Sequence, residues 1–381
     1  MSRKNGYNQE VFIVADNILS PLGRTTADNF LKLTQSISGV KKRQESAISN
    51  QPFSASLFDE NDDLLTGYDH YTKFEKLLIL SVADALHQTN INPADDKTGL
   101  IISTTKGNIS LLEHSAYNDA LKKRIALHTS AGIIQQHFGF VNQPIVVSNA
   151  CISGVVAILT ALRLIRSGQY DNMVVTGADV ISKFIFSGFQ SFNALSQQRC
   201  RPFDKDRNGI NLGEGAATLI LSSNKKYAGN IQVLNGSVSD DANHISGPSR
   251  TGEELALAIR TALNLSGITN KEVGMISAHG TATLYNDEME ASAITIAGLA
   301  QVPVTGLKAH YGHTLGAAGL IESIVSIKSL QQNLLLPTLG FQETGTKPVN
   351  INLALETRSL NYCLKTSSGF GGCNAALVFG K

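Results

Sequence analysis

The sequence predicts an α/β protein built from two similar halves, and three observations carry that prediction. Short β-branched runs alternate with longer segments of helical period, the pattern of helices laid over sheets. A strand, a tight turn and a helix that begins in small residues occur twice. The first is Ile145-Val-Val-Ser-Asn-Ala-Cys151-Ile-Ser-Gly154; the second runs from Val302-Pro-Val-Thr-Gly-Leu-Lys308 through Gly312-His313-Thr-Leu-Gly316-Ala-Ala-Gly319. No Pro-rich or low-complexity tract divides the 381 residues. The one polar, Gly-containing stretch, 222–230, precedes a fresh strand at Ile231 and sets the expected division into residues 1–230 and 231–381.

Strands are expected at 11–14, 100–103, 145–147, 173–176, 217–221, 275–278, 302–305 and 376–379, each a short apolar run. A helix is expected at 72–87, where Phe74, Leu77, Leu78 and Ala85 share a face. Another is expected at 253–266, with Leu255, Ile259 and Leu263 in line and Gly267 as a stop. The helix after Cys151 should run to about Ser167 and stop at Gly168, and the one after His313 should end near Asn333. Gly, Ala and Ser in the first turns of both would let each pack closely against a sheet or another helix.

Lys plus Arg is 32 and Asp plus Glu is 31, a net charge of +1 that supplies no basic field for nucleic acid. Charged residues are 17% against roughly 25% in an average chain, while 42% are hydrophobic. That balance predicts a large core and a surface partly covered by a partner subunit. The longest apolar stretches, such as 154–162, fall short of the roughly 18 residues of a spanning helix. Residues 1–10 are polar and the apolar run after them is too short for a secretory leader, so the expected location is the cytoplasm. The four cysteines, at 151, 200, 363 and 373, form no CxxC pair, which predicts free thiols and no metal site.

Among them, Cys151 stands where a strand gives way to a helix. A thiol there feels the positive end of the helix dipole, which favours thiolate, and the turn exposes the sulfur. The other three read as background. His279, in Ser277-Ala-His-Gly-Thr-Ala-Thr283, follows an apolar strand, the position of many α/β active-site residues. Thr281 and Thr283 beside it could bond a polar substrate tail. His313 is expected to open a helix, where the local potential disfavours imidazolium, so a neutral ring can donate to a developing negative charge. Lys308 precedes it, and Glu322 on the following helix could pair with that lysine. Ser367-Ser-Gly-Phe-Gly-Gly372 reads as a glycine turn whose N–H groups can approach a ligand closely. The polar loop from Phe203 to Gly215 reads as a brace for the site. One Cys and two His at strand-end turns point to acyl transfer through a thioester. A Cys/His hydrolase would use the same residue types with one base His and an orienting acid, which is not evident here.

Taken together the motifs resemble those of the β-ketoacyl-[acyl-carrier-protein] synthases. The likeness covers the chain from about Leu100 onward. Its residues are Asn149-Ala-Cys151-Ile-Ser-Gly154, Arg201-Pro-Phe-Asp204, Gly213-Glu-Gly215, His279-Gly-Thr-Ala-Thr283, Lys308, Gly312-His313 and Gly369-Phe-Gly-Gly372. His313 in the third place resembles the elongating, Cys-His-His branch. The resemblance implies a thiolase-like fold of two duplicated αβα halves forming five layers, and a dimer, either a homodimer or a heterodimer. It implies that Cys151 takes an acyl chain from its carrier protein, and that His279 and His313 assist decarboxylation of malonyl-carrier protein. The resulting enolate then attacks the acyl-enzyme. It further implies an oxyanion hole from Cys151 and Phe370, gating by Phe370, and substrate contacts at Thr281, Thr283, Gly369 and Gly371. Lys308 and Glu322 would tune the site, with no cofactor and no metal. A non-catalytic, chain-length-setting partner subunit and a degradative thiolase are the other readings; retention of Cys151, His279 and His313 speaks against the first and the two His motifs against the second. The chain looks shorter than family members between Gly107 and Cys151, and Asn208 stands where Asp is commoner, which leaves fatty-acid and aryl-polyene or polyketide assembly both open.

Overall fold

The computed structural model describes residues 9–59, 66, 68, 70–227, 229–242 and 247–381; the polar start read from residues 1–10 falls mostly outside them. Ten strands form one mixed sheet in which one order occurs twice. In the first half β1 (Phe12–Leu19), β2 (Thr98–Ser103), β3 (Ile145–Val147), β4 (Asn172–Asp179) and β5 (Gly215–Ser222) lie in the order β1-β5-β4-β2-β3. In the second, β6 (Gln232–Asp240), β7 (Val273–Ala278), β8 (Val304–Gly306), β9 (Tyr362–Gly369) and β10 (Cys373–Gly380) lie in the order β6-β10-β9-β7-β8. The pairings correspond as well. β2 runs parallel to β3 and β4 as β7 does to β8 and β9, and the remaining neighbours are antiparallel in both halves. The halves join where Phe12 of β1 pairs with Gln232 of β6.

The helices repeat in the same way: α1 (Lys73–His87), α2 (Leu127–Phe138) and α3 (Ser153–Arg166) in the first half, then α4 (Lys183–Ser191), and α5 (Glu253–Ser266), α6 (Leu284–Ile296) and α7 (Ala318–Gln332) in the second. α1 starts on a capping box between Thr72 and Glu75, and it packs Phe74, Leu77 and Leu78 against Leu100, Ile102 and Ile220. α5 ends at Gly267, φ +68°, a conformation that glycine adopts at little cost, and seats Leu255, Ile259 and Leu263 on Ile276, Leu364 and Val378. Between these outer layers lie α3 and α7. Val155, Ile158 and Leu162 of one and Leu320 and Ile324 of the other share a core with Leu219 and Leu377. The result is the five-layered, duplicated αβα arrangement that the motif resemblance implied.

α3 and α7 cross at two glycines. A Cβ on Gly154 would lie 2.5 Å from the Leu320 nitrogen, and one on Gly319 would lie 2.9 Å from the Val155 nitrogen. The small residues at the two helix starts therefore serve helix-to-helix contact. Two expected elements shift. The strand at 302–305 begins only at Val304, because Pro303 offers no N–H to a ladder. Residues 367–369, read as part of a turn, extend β9 and pair in register with 373–375 of β10, leaving Phe370, Gly371 and Gly372 as the turn.

Candidate active site

The turn that presents Cys151 is strained and tied down. Ala150 has φ +43°, an uncommon value for a residue with a side chain. Ser153 holds it: the Ser153 hydroxyl donates to the Ala150 carbonyl at 2.6 Å and accepts from the Asn149 N–H at 2.8 Å. Cys151 thus sits two residues before α3, between β3 and the helix, and is almost fully buried. Burial pushes its thiol up to about 11, while the nearby Lys308 cation pulls the other way. Burial thus works against the thiolate that the helix end was expected to favour.

His279 follows β7, and two carboxylates one turn apart on α6 clamp its loop. Glu290 accepts the His279 and Gly280 N–H groups, each at 2.8 Å. Asp287 accepts the N–H groups of Thr281, Ala282 and Phe203 at 2.9, 3.1 and 2.7 Å. Neither acid was singled out in the sequence. Their i,i+3 spacing just after His279-Gly-Thr-Ala-Thr283 was the available signal.

His313 does not open a helix as expected. It lies between the helical turn Lys308–Tyr311 and a 3-10 turn at Leu315–Ala317, five residues before α7 begins. The 203–215 loop braces it, as read from the sequence: the His313 N–H donates to the Asn211 carbonyl at 2.7 Å and the Gly213 N–H to the His313 carbonyl at 3.0 Å. Gly213 is required there, since a Cβ would meet the Tyr311 carbonyl oxygen at 2.0 Å. Neither ring nitrogen of His313 has a hydrogen-bond partner among the described residues.

The two imidazoles meet edge to face with centroids 5.3 Å apart, and one nitrogen of each ring and the Cys151 sulfur lie within 4.8 Å of one another. Burial first, then the Lys308 cation, hold both rings well below the ordinary histidine range, so both are neutral near pH 7. Lys308 Nζ donates to the His279 carbonyl at 2.9 Å and stands 3.5 Å from Nδ1 of the same ring. That donor makes Nδ1 the acceptor and leaves the proton on Nε2. Lys308 also pairs with Glu322, as the sequence suggested, and Glu322 takes a second cation, Lys365 Nζ, at 2.8 Å. Lys365 was missed; a lysine in the middle of a buried strand was its signal. The sulfur and two imidazoles would match three ligands of a soft cation in spacing, but the neighbouring ammonium groups oppose one.

The β9–β10 turn closes over the nucleophile. The Phe370 N–H reaches the Cys151 sulfur, and a Cβ on Gly369 would come within 3.0 Å of the Cys151 nitrogen. Cys373, expected to be background, is placed beside the site, its sulfur 3.3 Å from the Phe370 carbonyl; Cys200 and Cys363 are buried in the core. Two cavities meet at Cys151 and Phe370. One, of about 480 Å3, is lined by His279, His313, Thr281, Thr283, Asn286 and Gly369. The other, of about 470 Å3, is lined largely by aromatic and aliphatic side chains. Phe370 stands between them, stacked on Phe189 at 5.8 Å.

With its thiol near 11, Cys151 should react with iodoacetamide at a rate that climbs roughly tenfold per pH unit from pH 8 to 10. Lys308→Met should slow it throughout, because the largest opposing charge is lost. A rate already level at neutral pH, followed by mass spectrometry, would contradict this electrostatic picture.

The comparisons fit the geometry. The chain matches the models of the β-ketoacyl synthase N-terminal domain over residues 8–226 and C-terminal domain over residues 231–342. It is 29% identical to 3-oxoacyl-[acyl-carrier-protein] synthase 2 of Vibrio cholerae serotype O1, covering 97% of this chain and 99% of that one. That alignment runs over 419 positions, more than the 381 residues here, so the relative carries segments that this chain lacks. A putative mitochondrial 3-oxoacyl-[acyl-carrier-protein] synthase of Schizosaccharomyces pombe is 31% identical over 81% of each chain. In fold it matches the ishigamide ketosynthase/chain length factor with a TM-score of 0.88, 26% identity, and coverage of 98% of this chain and 99% of that one. With the Cys-His-His set assembled and these likenesses spanning nearly its whole length, the chain belongs to the β-ketoacyl synthase family, the condensing enzymes of fatty-acid and polyketide biosynthesis.

Proposed function

We propose that the protein extends an acyl chain by decarboxylative condensation, with Cys151 as nucleophile and His279 and His313 as the donors to the enolate. The observation that carries this is the meeting of one sulfur and two neutral imidazoles within 4.8 Å where two cavities join. The Cys151 sulfur attacks the thioester carbonyl of an acyl-carrier protein, the carrier sulfur leaves, and the thiol proton ends on it. Backbone N–H groups of Cys151 and Phe370 hold the oxyanion. Malonyl-carrier protein then enters the cavity lined by Thr281 and Thr283, whose hydroxyls, 2.8 Å from each other, face the pantetheine arm together with Gly369 and Gly371. The bond to the malonyl carboxylate breaks and carbon dioxide leaves. The electron pair becomes an enolate whose oxygen accepts from the two imidazoles. Its carbon attacks the acyl carbonyl, the C–S bond breaks, and the departing Cys151 thiolate takes up one proton from solvent to restore the thiol. Neutral rings suit this step, since an imidazolium would hold the enolate too tightly to release it. Lys308, anchored on Glu322, orients His279. Gly371, at φ +92° with open space about it, gives the Phe370 turn room to gate the passage between cavities.

The assembled form we propose is a dimer, of identical chains or with a related subunit. Edge strand β3, half-buried and unpaired on one side, supports it, because an open edge just before the nucleophile invites a second strand. The fitting division of the chain is 1–230 and 231–381, in keeping with the repeated strand order.

Acyl- and malonyl-carrier protein together should yield carbon dioxide and a β-ketoacyl-carrier protein longer by two carbons. His279→Ala and His313→Ala should each lower malonyl decarboxylation roughly 10²–10³-fold while Cys151 still takes up acyl label. Loss of labelling equal to the loss of decarboxylation would remove the division of roles.

A further inference from the structure

Among the described residues, the two cavities at the nucleophile have four lining residues in common: Cys151, Phe189, Phe192 and Phe370. Three phenylalanines therefore border the passage from one cavity to the other. Phe370 stacks on Phe189 at 5.8 Å, with 28° between the planes, and meets Phe192 at 5.5 Å and 63°, nearly edge-on. Phe189 also meets His313 edge-on at 6.4 Å, so its ring supports a reacting imidazole as well. Phe192 differs from it. It is 54% exposed and belongs to none of the hydrophobic cores, and its ring contact is with Phe370.

The two sides of that contact differ in stiffness. Phe189 and Phe192 stand one turn apart at the end of α4, on the same face. The Asn193 N–H donates to the Gln190 carbonyl at 2.9 Å and the Ala194 N–H to the Phe189 carbonyl at 3.2 Å, which closes the helix end with Asn193 at φ +52°. On the other side Gly372 is anchored. The Asp241 N–H donates to its carbonyl at 2.9 Å, and a Cβ there would meet the Asp241 carbonyl oxygen at 1.8 Å. Gly371, directly after Phe370, has φ +92° and open space about it. Two rings on a closed helix end thus face one ring carried beside a free glycine, and the side with room to move is that of Phe370.

We propose that Phe192 is a positioning residue that holds Phe370 across the passage, and so sets how readily acyl groups reach the apolar cavity. This rests on the condensing reading above, with Phe370 as its gate. An acyl group too long to stay beside Cys151 has to displace the Phe370 ring, which breaks the contact with Phe192. A contact between two aromatic rings shifts such an equilibrium by about threefold to tenfold. Entry that requires a fractionally populated open state is slowed by that fraction. Removing the Phe192 ring raises the fraction, so long chains load faster, whereas damage to the site could only slow them. An acetyl group fits beside the sulfur without the passage and reports on the thiol itself.

The test follows loading of Cys151 from acetyl- and octanoyl-N-acetylcysteamine by intact-protein mass spectrometry. Phe192→Ala should raise the octanoyl rate, and with it the octanoyl-to-acetyl ratio, by about threefold to tenfold. Phe192→Tyr, which keeps the ring, should hold the ratio within about twofold of the wild-type value. An octanoyl rate that is unchanged or lower in Phe192→Ala overturns the proposal. So does an equal rise for both thioesters, which would place the effect on the thiol, or a Phe192→Tyr protein that loads octanoyl as fast as Phe192→Ala. Each of these outcomes leaves condensation standing. If neither thioester labels Cys151 in the wild-type protein, the condensing reading itself fails and takes this one with it.

Discussion

Cys151→Ala should end acyl loading altogether and lower condensation by roughly 10⁴-fold or more, the scale seen when the attacking atom of an acyl-transfer site is removed. The reason is local. Cys373 is the other sulfur nearby, but its thiol is pushed up to about 11 by burial and it donates to the Phe370 carbonyl. It stands behind the β9–β10 turn and is absent from the cavity wall on either side of Phe370. The two imidazoles do not depend on the sulfur for their positions: Glu290 holds one loop and Asn211 the other. The variant should therefore still decarboxylate malonyl-carrier protein, releasing carbon dioxide without a ketoacyl product. Labelled acyl donor and mass spectrometry distinguish the outcomes. Label appearing on Cys373 in the variant would move the nucleophile.

Glu322→Gln should cause the largest loss of stability of any single change at the site, about 3–5 kcal/mol, the usual cost of removing one partner from a buried ion pair. Glu322 is 3% exposed, and the lysines on either side of it are wholly buried. Without its charge, two ammonium groups face each other inside the protein with no anion between them. Lys308→Met and Lys365→Met should each cost less, because the remaining lysine still meets the carboxylate. The two lysine variants part company in catalysis. Lys308 touches His279 through both the carbonyl and Nδ1, so its loss should slow decarboxylation; Lys365 donates to the carbonyls of Ser277, Ala278 and Thr366, and its loss should act mainly on stability. Denaturant titration beside single-turnover decarboxylation separates the two effects. A Glu322→Gln protein as stable as the parent would show that the lysines shed their charge instead.

Much of this was legible in the sequence because it is written locally. Strand-to-helix junctions at Cys151 and His313, the stop at Gly267 and the period of 72–87 all depend on neighbours a few residues away. The close crossing of two small-residue helices was readable from the same segments. What the sequence hid was long-range. Lys365 becomes part of the site only because β9 lies beside β7 and over α7, and Glu290 only because α6 folds back on the His279 loop. The burial that opposes ionisation of Cys151 was hidden for the same reason. A helix end can be seen in ten residues, whereas burial is the sum of everything packed around them. His313 was placed at a helix start because Gly312-His313 precedes a helical pattern, but the 3-10 turn between them leaves no mark in periodicity.

The glycine crossing of α3 and α7 has a consequence for how such a chain can change over time. Cys151 comes from one half and the histidines from the other, and their spacing is set where two backbones touch at Gly154 and Gly319, with no side chain in between. The apolar cavity beside them, the acyl pocket of the proposed function, is walled largely by α4 and the turn at 105–106. Reaction and selection are thus written on separate parts of the molecule. In the proposed function, substitutions in α4 other than at Phe189, whose ring stacks on Phe370 and meets His313 edge-on, can alter what is elongated with little effect on the reacting groups.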